Sequence, residues 1–426
     1  MRDRTQRQSG WSEQVSKHRD TQQMLVGLDI GTSKIVAIVA EVTDEGTINI
    51  VGMGDTPSRG LRKGMVVNIE ATVKAIEAAV REAELMADCK INEVYTGIAG
   101  SHIKSVNSHG MVAIRDREVT QADIDRVIDT ARAVSIPSDH QTLHVLPQEF
   151  CIDGQEDVRE PLGMSGVRLE ARVHIVTGAV SAAQNITKCV RRCGLEANDL
   201  ILQPLASAEA VLTEDERDLG VCLIDIGGGT TDIAVLRGGA VRHTAVIPIA
   251  GDQITNDIAM ALRTPTKEAE EIKIAHGVAL SRLTDPAQMI DVPGVGERGP
   301  RQLSRATLAE VIEPRVEELF VLVQQELKRA GFDGMLASGI VLTGGSSQLP
   351  GMCELAEEVF HLPVRVGVPQ YYAGLAEVVR KPSYSTAVGL LLLGKEQMVR
   401  QAPVKVESGG IGSIFERMKS WFGSNF

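Results

Sequence analysis

One unit occurs twice in this chain and limits what the chain can become. "MLVGLDIGTSKIVAIV" (24–39) and "VCLIDIGGGTTDIAVL" (221–236) share a plan: an apolar run, an Asp-Ile-Gly step, small donors, and a second apolar run. Each copy reads as two buried strands joined by a tight turn. Asp29 and Asp225 hold matching places, one residue before the end of the first strand. Taken singly, either turn is an ordinary hairpin, since Gly, Ser and Thr are common turn residues. Two copies with a carboxylate in the same position point to chemistry at the strand ends rather than to plain turns.

A third loop of similar composition, "GIVLTGGSSQLPG" (339–351), follows another apolar strand. Loops of this kind aim backbone N–H groups at an anion. A carboxylate beside a phosphate is repulsive unless a cation stands between them. Mg²⁺ is commonly held by one or two carboxylates together with phosphate oxygens, so the three loops read as a phosphate site with Mg²⁺ near Asp29 and Asp225. Other phosphate signatures do not compete. No G-x-x-x-x-G-K-[ST] motif occurs, and "GVGERG" (294–299) lacks a preceding strand and is followed by Pro300, so it reads as a loop. H-E-x-x-H and G-x-S-x-G are also absent.

With 426 residues the chain exceeds one ordinary core, and several domains are expected. A net charge of −12 argues against wrapping nucleic acid, which needs a basic face. The six cysteines (Cys89, Cys151, Cys189, Cys193, Cys222 and Cys353) form no C-x-x-C pair and read as reduced structural thiols. Residues 1–23 are polar, carry no apolar segment of a signal peptide, and read as a disordered extension. No stretch has the apolar length of a membrane span.

Helices are expected over "NIEATVKAIEAAVREAELMA", with Val73, Ile76, Val80 and Leu85 as its apolar face, and over "TQADIDRVIDTARA" with Thr120 as N-cap. "SAAQNITKCVRRCG" reads as a helix ending at Gly194, and "ILQPLASAEAVL" as an apolar helix-like link. Residues 104–178 alternate short strands with one helix and read as an inserted subdomain. At the far end, "QAPVKVESGG" (401–410) is a linker, followed by "IGSIFERMKSWFGSNF" (411–426). On a helical wheel Ile411, Ile414, Phe415, Met418, Trp421, Phe422 and Phe426 fall within about 140°, flanked by Arg417 and Lys419. Such a face either docks on a core or lies in a lipid surface, and the linker before it favours lipid.

These motifs resemble the actin-like ATPase superfamily: "LDIGTSK" its first phosphate motif, "LIDIGGGTTD" its second, "IVLTGGSSQLPG" its adenosine motif. "ILQPLASAEAVL" and "SYSTAVGLLLLG" resemble its two connecting helices. Within that group the chain is similar to the bacterial cell-division family FtsA from about Met24 to Phe426, on the insertion after "GIAGSH", on "AEEIKIAHG", and on the tail. The resemblance implies an α/β, two-lobed actin-like fold of duplicated ribonuclease-H-like halves, with an inserted α+β subdomain in the first lobe.

The implied domains are a first-lobe core (24–103 and 179–213), the insertion (104–178), a second-lobe core (214–258 and 321–382), and a smaller second-lobe subdomain (259–320). A connecting helix (383–400), the linker and the terminal helix complete the chain. For cofactors the resemblance implies ATP and Mg²⁺. Asp29 and Asp225 would orient the metal, and Gly31, Thr32, Ser33, Lys34, Gly227, Gly228, Gly229, Thr230 and Thr231 would hold phosphates. Gln203 would position a water, with Asp232 a second polar group near it. Glu270 and Lys273 would meet the adenosine end and Gly344, Gly345 and Ser346 would line the adenine pocket. Implied partners are FtsZ, received on the smaller second-lobe subdomain with Arg301 and Arg305 as contacts, further copies of the chain in filaments, later division proteins, and the cytoplasmic face of the inner membrane. A small-molecule kinase of the same superfold is the alternative, since fold alone does not fix function.

Overall fold

The computed structural model describes residues 23–43, 45–296, 299–370 and 373–401. Strands β1 (Gln23–Ile30), β2 (Lys34–Val42) and β3 (Ile48–Pro57) form an antiparallel meander. A short hairpin, β4 (Leu61–Arg62) and β5 (Met65–Val66), leads into helix α1 (Ile69–Ala87). Asn68 caps α1 by accepting from the Ala71 N–H, and Asp88 ends it in a left-handed conformation at φ 50°. The face of α1 turned to the sheet is built from Thr72, Val73, Ala75, Ile76, Ala79, Val80 and Ala83. Leu85, expected on that face, is 78% exposed. Small residues take its place because the helix lies very close to the sheet: a Cβ on Gly54 would come within 1.9 Å of the Ala79 carbonyl oxygen. Strand β6 (Glu93–Ile98) then pairs in parallel with β1.

The chain next leaves the first lobe to build a separate sheet. Strands β7 (Lys104–Ala113), β8 (His140–Ile152), β9 (Gln155–Val158) and β10 (Arg168–Ala179) pair antiparallel in the order β7-β10-β8-β9. Helix α2 (Gln121–Arg132) packs on it, started by a capping box between Thr120 and Asp123. Val119, Ile124, Val127, Phe150, Ile152 and Leu169 give this subdomain its own core. Helix α3 (Val180–Arg192) and strand β11 (Glu196–Leu202) return the chain to the first lobe, where β11 pairs parallel with β6. Helix α4 (Gln203–Val211) follows directly, so the first two residues of the "ILQPLASAEAVL" link belong to the strand.

After helix α5 (Glu214–Leu219) the plan repeats. Strands β12 (Val221–Ile226), β13 (Thr231–Arg237) and β14 (Ala240–Ile247) form a second antiparallel meander. Helices α6 (Gly251–Ala261) and α7 (Thr266–His276), the hairpin β15 (Met289–Val292) and β16 (Arg301–Ser304), and helix α8 (Arg305–Arg329) come next. Residues 259 and 320, the expected limits of the smaller subdomain, fall inside α6 and α8, which run unbroken across both divisions. Strand β17 (Ile340–Thr343), helix α9 (Met352–Phe360) and strand β18 (Val364–Val366) complete the sheet. Its order, β14-β13-β12-β17-β18, matches β3-β2-β1-β6-β11 of the first lobe, with the same antiparallel and parallel pairings. The repeat seen in two short motifs therefore extends to whole sheets.

The chain then crosses back. Strand β19 (Ala373–Gly374) adds to the free edge of β3, and helix α10 (Ala376–Val379) leads to α11 (Ser385–Gln401). Helices α4 and α11 cross in backbone contact: a Cβ on Gly389 would stand 1.7 Å from the Ala206 carbonyl oxygen. Around this crossing one apolar cluster draws Leu25 and Val36 from the first lobe, Leu223 and Val341 from the second, and Ala387, Leu390 and Leu391 from α11. The two strand-end turns face each other beside it.

Candidate functional site

A cavity of about 470 Å³ lies between the lobes, lined by the two hairpin turns, the third Gly-rich loop and one face of α7. Asp29 and Asp225 reach it because each stands at the penultimate position of a strand whose C-terminal end opens on the cleft. The turns after them are tight, with the Gly31 N–H donating to the Lys34 carbonyl (3.1 Å) and the Gly227 N–H to the Thr230 carbonyl (3.0 Å). The third loop is tied to the second turn by Ser346 Oγ, which donates to the Gly227 carbonyl at 2.9 Å.

The carboxylates are not equivalent. Gln203, the first residue of α4, donates its side-chain N–H to Asp29 Oδ1 at 2.9 Å, and Gly97 leaves the space for it, since a Cβ there would lie 2.8 Å from Gln203 Cγ. Gln203 thus holds a carboxylate. Asp225 Oδ2 accepts from Ser207 Oγ at 2.5 Å and from Thr386 Oγ1 at 3.3 Å. Asp232, paired across the hairpin with Asp225, accepts from Thr230 Oγ1 at Oδ2 (2.9 Å), while its buried Oδ1 has no hydrogen-bond partner among the described residues.

Three acids so close in protein interior disfavour their own ionisation. Loss of water and then the Asp225 charge push Asp29 up to about 7. The same two causes, in the same order, push Asp232 up to about 8. Burial raises Asp225, against the hydroxyls of Ser207 and Thr386, which lower it. Lys34 offsets this only in part: it lowers Asp29, behind burial and Asp225, while its Nζ is bonded to Asp55 (3.0 Å) and lies 3.7 Å over the Tyr384 ring. Mutually repelling carboxylates and an orphaned Asp232 oxygen fit a cation in the cleft. Among the described residues no three His, Cys, Asp or Glu side chains form a metal cage.

At the other end of the cavity Lys273 is only 6% exposed. Its Nζ donates to Glu270 Oε2 (2.7 Å), Thr255 Oγ1 (2.9 Å) and the Gly251 carbonyl (3.1 Å). Glu270, Lys273, Gly344, Gly345 and Ser346 line the cavity together with Asp29, Gly31, Thr32, Ser33, Lys34, Gln203, Asp225, Gly227, Gly228, Gly229, Thr230 and Asp232. Thr231 does not: it is fully buried, and its hydroxyl donates to the Ile249 carbonyl at 2.7 Å. Arg301 and Arg305 lie away from the cavity. Arg301 donates to the Leu262 carbonyl, and Arg305 to the His276 carbonyl (2.9 Å) and Gln288 Oε1 (3.0 Å), so both guanidinium groups serve their own subdomain. The terminal stretch with Ile411, Ile414, Phe415, Met418, Trp421 and Phe422 falls outside the described residues.

Sequence reading missed Ser207, Thr386, Asp55 and Tyr384. Ser207 had a signal: it follows Gln203 by four residues and so shares its helix face. Asp55 and Tyr384 are neighbours of Lys34 only through tertiary contact.

The family described as Cell division protein FtsA matches residues 222–389, and the family described as SHS2 domain inserted in FTSA matches residues 100–177. The chain is 61% identical over 409 residues to the cell division protein FtsA of Pseudomonas aeruginosa, covering 95% of this chain and 98% of that protein. It is 55% identical over 405 residues to that of Neisseria meningitidis, covering 94% and 98%. Among solved structures it resembles a chain of the PilM–PilN type IV pilus biogenesis complex (TM-score 0.63, 19% identity, 87% of this chain and 98% of that one). It also resembles MreB 5 of Spiroplasma citri bound to AMPPNP (TM-score 0.55, 15% identity, 89% and 98%). At such identities the structural likenesses concern the fold, which is actin-like, with the SHS2 domain inserted in the first lobe. By its near full-length identity to these relatives, the chain belongs to the FtsA family of cell-division proteins.

Proposed function

We propose that this member of the family binds Mg²⁺–ATP in the interlobe cleft, assembles into filaments, and tethers FtsZ filaments to the cytoplasmic face of the inner membrane at the division septum, where it helps recruit later division proteins. The observation that carries the reading is the meeting of the two hairpin turns across one cavity, with Asp29 and Asp225 at its floor and the Glu270–Lys273 pair, its lysine buried, at its far end.

In this reading the turn N–H groups of Thr32 and Ser33 and from Gly228 to Thr230 face the phosphates, those of Gly31 and Gly227 closing the turns themselves, and adenosine lies between α7 and the Gly344–Ser346 loop. Close backbone approach there suits glycine, and Gly344 adopts φ 84°. When bound, Mg²⁺ would neutralise phosphate charge near Asp29 and Asp225. Gln203 orients Asp29 through its amide, and Asp232, raised by burial and by Asp225 in the nucleotide-free protein, lines the cavity beside them. The exposed Arg301 and half-buried Arg305 mark the small subdomain on which the FtsZ tail is proposed to dock. Attachment to lipid is assigned to the 411–426 stretch. Among the described residues no helix is long and apolar enough to cross a membrane.

Sedimentation of the full chain with anionic vesicles and FtsZ, with and without Mg²⁺–ATP, tests this. Co-sedimentation of all three components in Mg²⁺–ATP is expected. If FtsZ stays in the supernatant while the protein pellets with lipid, the tethering assignment is wrong.

A further inference from the structure

Both floor carboxylates are gripped by the segments that cross between the lobes. Ser207 lies on α4 and Thr386 on α11, and both hydroxyls converge on a single atom, Asp225 Oδ2. The hydroxyls also touch each other, Oγ to Oγ1 at 3.0 Å. Ser207 is fully buried, and Thr386 and Asp225 are each 8% exposed, so this cluster excludes bulk water. The third loop runs close to the other oxygen of Asp225: a Cβ on Gly344 would stand 2.3 Å from Oδ1, so only a glycine lets the loop pass without covering it. One turn before Ser207 on α4, Gln203 fixes Asp29.

The two helices are themselves immobilised against each other and against the first lobe. Gly389 meets Ala206 in backbone contact, and a Cβ on Gly27 of β1 would lie 2.5 Å from the Ala387 carbonyl, the residue next to Thr386. Asp225 belongs to the second lobe. Its Oδ2 is therefore held by a hydroxyl whose helix rests on the first.

We infer that Ser207 and Thr386 are positioning residues for Asp225, fixing Oδ2 so that Oδ1 faces the cleft when α4 and α11 cross as they do here. Ser207 is not among the residues lining the cavity, and Thr386 lies on its wall. This rests on the Mg²⁺–ATP reading above and adds to it a contact through which the mutual position of the lobes sets the geometry of the carboxylate. Groups that orient a metal-facing carboxylate typically change metal affinity by about 10- to 100-fold when removed.

The test is a Mg²⁺ titration of binding of a fluorescent ATP analogue to the full chain, comparing wild type, Ser207→Ala, Thr386→Val and Thr386→Ser. Thr386→Val keeps the shape and removes the hydroxyl, whereas Thr386→Ser keeps the hydroxyl. Ser207→Ala and Thr386→Val are expected to raise the Mg²⁺ concentration for half-maximal binding by about tenfold or more, with nucleotide affinity in EDTA unchanged and Thr386→Ser close to wild type. A merely structural role would shift affinity equally with and without Mg²⁺. If Ser207→Ala does not fold, the Thr386 pair decides alone. An unchanged Mg²⁺ midpoint in Thr386→Val beside a Mg²⁺-responsive wild type overturns the inference and leaves the function standing. A wild type that binds the analogue without any response to Mg²⁺ overturns both.

Discussion

Gly228 stands so close to Ser33 that a Cβ on it would lie 1.8 Å from the Ser33 Oγ, and a Cβ on the neighbouring Gly229 would lie 2.6 Å from Thr32 Oγ1. The residues come from hairpins in different lobes, so these glycines set how closely the lobes approach at the phosphate end. Gly228 does not adopt a left-handed backbone, and its requirement is for space alone. Gly228→Ala is expected to push the turns apart and weaken ATP binding by at least about tenfold, the equivalent of about 1.4 kcal/mol. Thermal unfolding without nucleotide should change little, since each lobe keeps its core. ATP titration calorimetry on the variant checks this, and undiminished affinity would show that the turns do not jointly hold phosphate.

Asp225→Ala removes the carboxylate on which the hydroxyls of Ser207 and Thr386 converge. Mg²⁺-dependent ATP binding is expected to be lost. Because repulsion between Asp225 and its neighbours Asp29 and Asp232 also disappears, the nucleotide-free protein should remain folded. A variant that keeps full ATP affinity in Mg²⁺ would remove the metal from the Asp29–Asp225 floor.

The same repulsion predicts a pH dependence of unusual sign. Asp29 and Asp232 are raised to about 7 and about 8, chiefly by burial and next by Asp225, above the unfolded value of about 4. Groups raised in the folded state contribute stability that is complete below the unfolded value and is lost as pH climbs through the folded one. The nucleotide-free protein should thus lose stability between about pH 4 and pH 8 on account of these acids. Asp232→Asn, which can still accept from Thr230, should raise the melting temperature at pH 8.5 by roughly 2–4 °C, the shift that about 1 kcal/mol gives in a domain of about 200 residues. At pH 5 the effect should nearly vanish. Equal shifts at both pH values would mean that the carboxylate is not strained by its charge.

Lys273 presents the opposite case, a buried cation whose three bonds satisfy Glu270, Thr255 and the Gly251 carbonyl. Lys273→Ala leaves the Gly251 carbonyl and Thr255 without this partner and should cost about 1–3 kcal/mol, read from denaturant midpoints. Glu270→Gln should cost less, because the Glu270 side chain is 41% exposed and water compensates it. If the two variants lose equal stability, the lysine is not the anchor of this corner.

The repeat was legible because strand–Asp–turn–strand is a local pattern, and the sheets followed from it. The Thr120 cap and the inserted subdomain were legible for the same reason: capping boxes and short alternating strands are written in contiguous residues. What stayed hidden depended on tertiary distance. Thr231 sits in a motif of donors, yet the alternation of β13 buries its side chain toward the Ile249 carbonyl. Leu85 keeps the helical period of its neighbours, but the close approach of α1 to the sheet selects Ala and Thr on the inner face. Ser207 and Thr386 lie far apart in sequence and meet on Asp225 only because α4 and α11 cross. Lys34, in a phosphate motif, spends its charge on Asp55, a residue on β3.

The stretch 411–426 lies outside the described residues, and its expected behaviour follows from magnitudes. Fully burying a large apolar side chain is worth about 1.5–3 kcal/mol, and an interfacial helix realises only part of that. Ile411, Ile414, Phe415, Met418, Trp421, Phe422 and Phe426 together still exceed the electrostatic term, about 1 kcal/mol for each basic residue near an anionic surface. Only Arg417 and Lys419 supply that term in this stretch, and Glu416 offsets one of them. Ordering the helix consumes much of the surplus, so single chains should bind lipid reversibly and filaments, presenting many tails, should bind it strongly. Trp421→Glu or Phe422→Glu is expected to release the protein from liposomes while leaving ATP affinity intact, and rising salt should weaken attachment only modestly. Should salt alone strip the wild type from the vesicles, the charged residues hold it there. Should either substitution lower the melting temperature of the body, the stretch docks on the domain instead of on lipid.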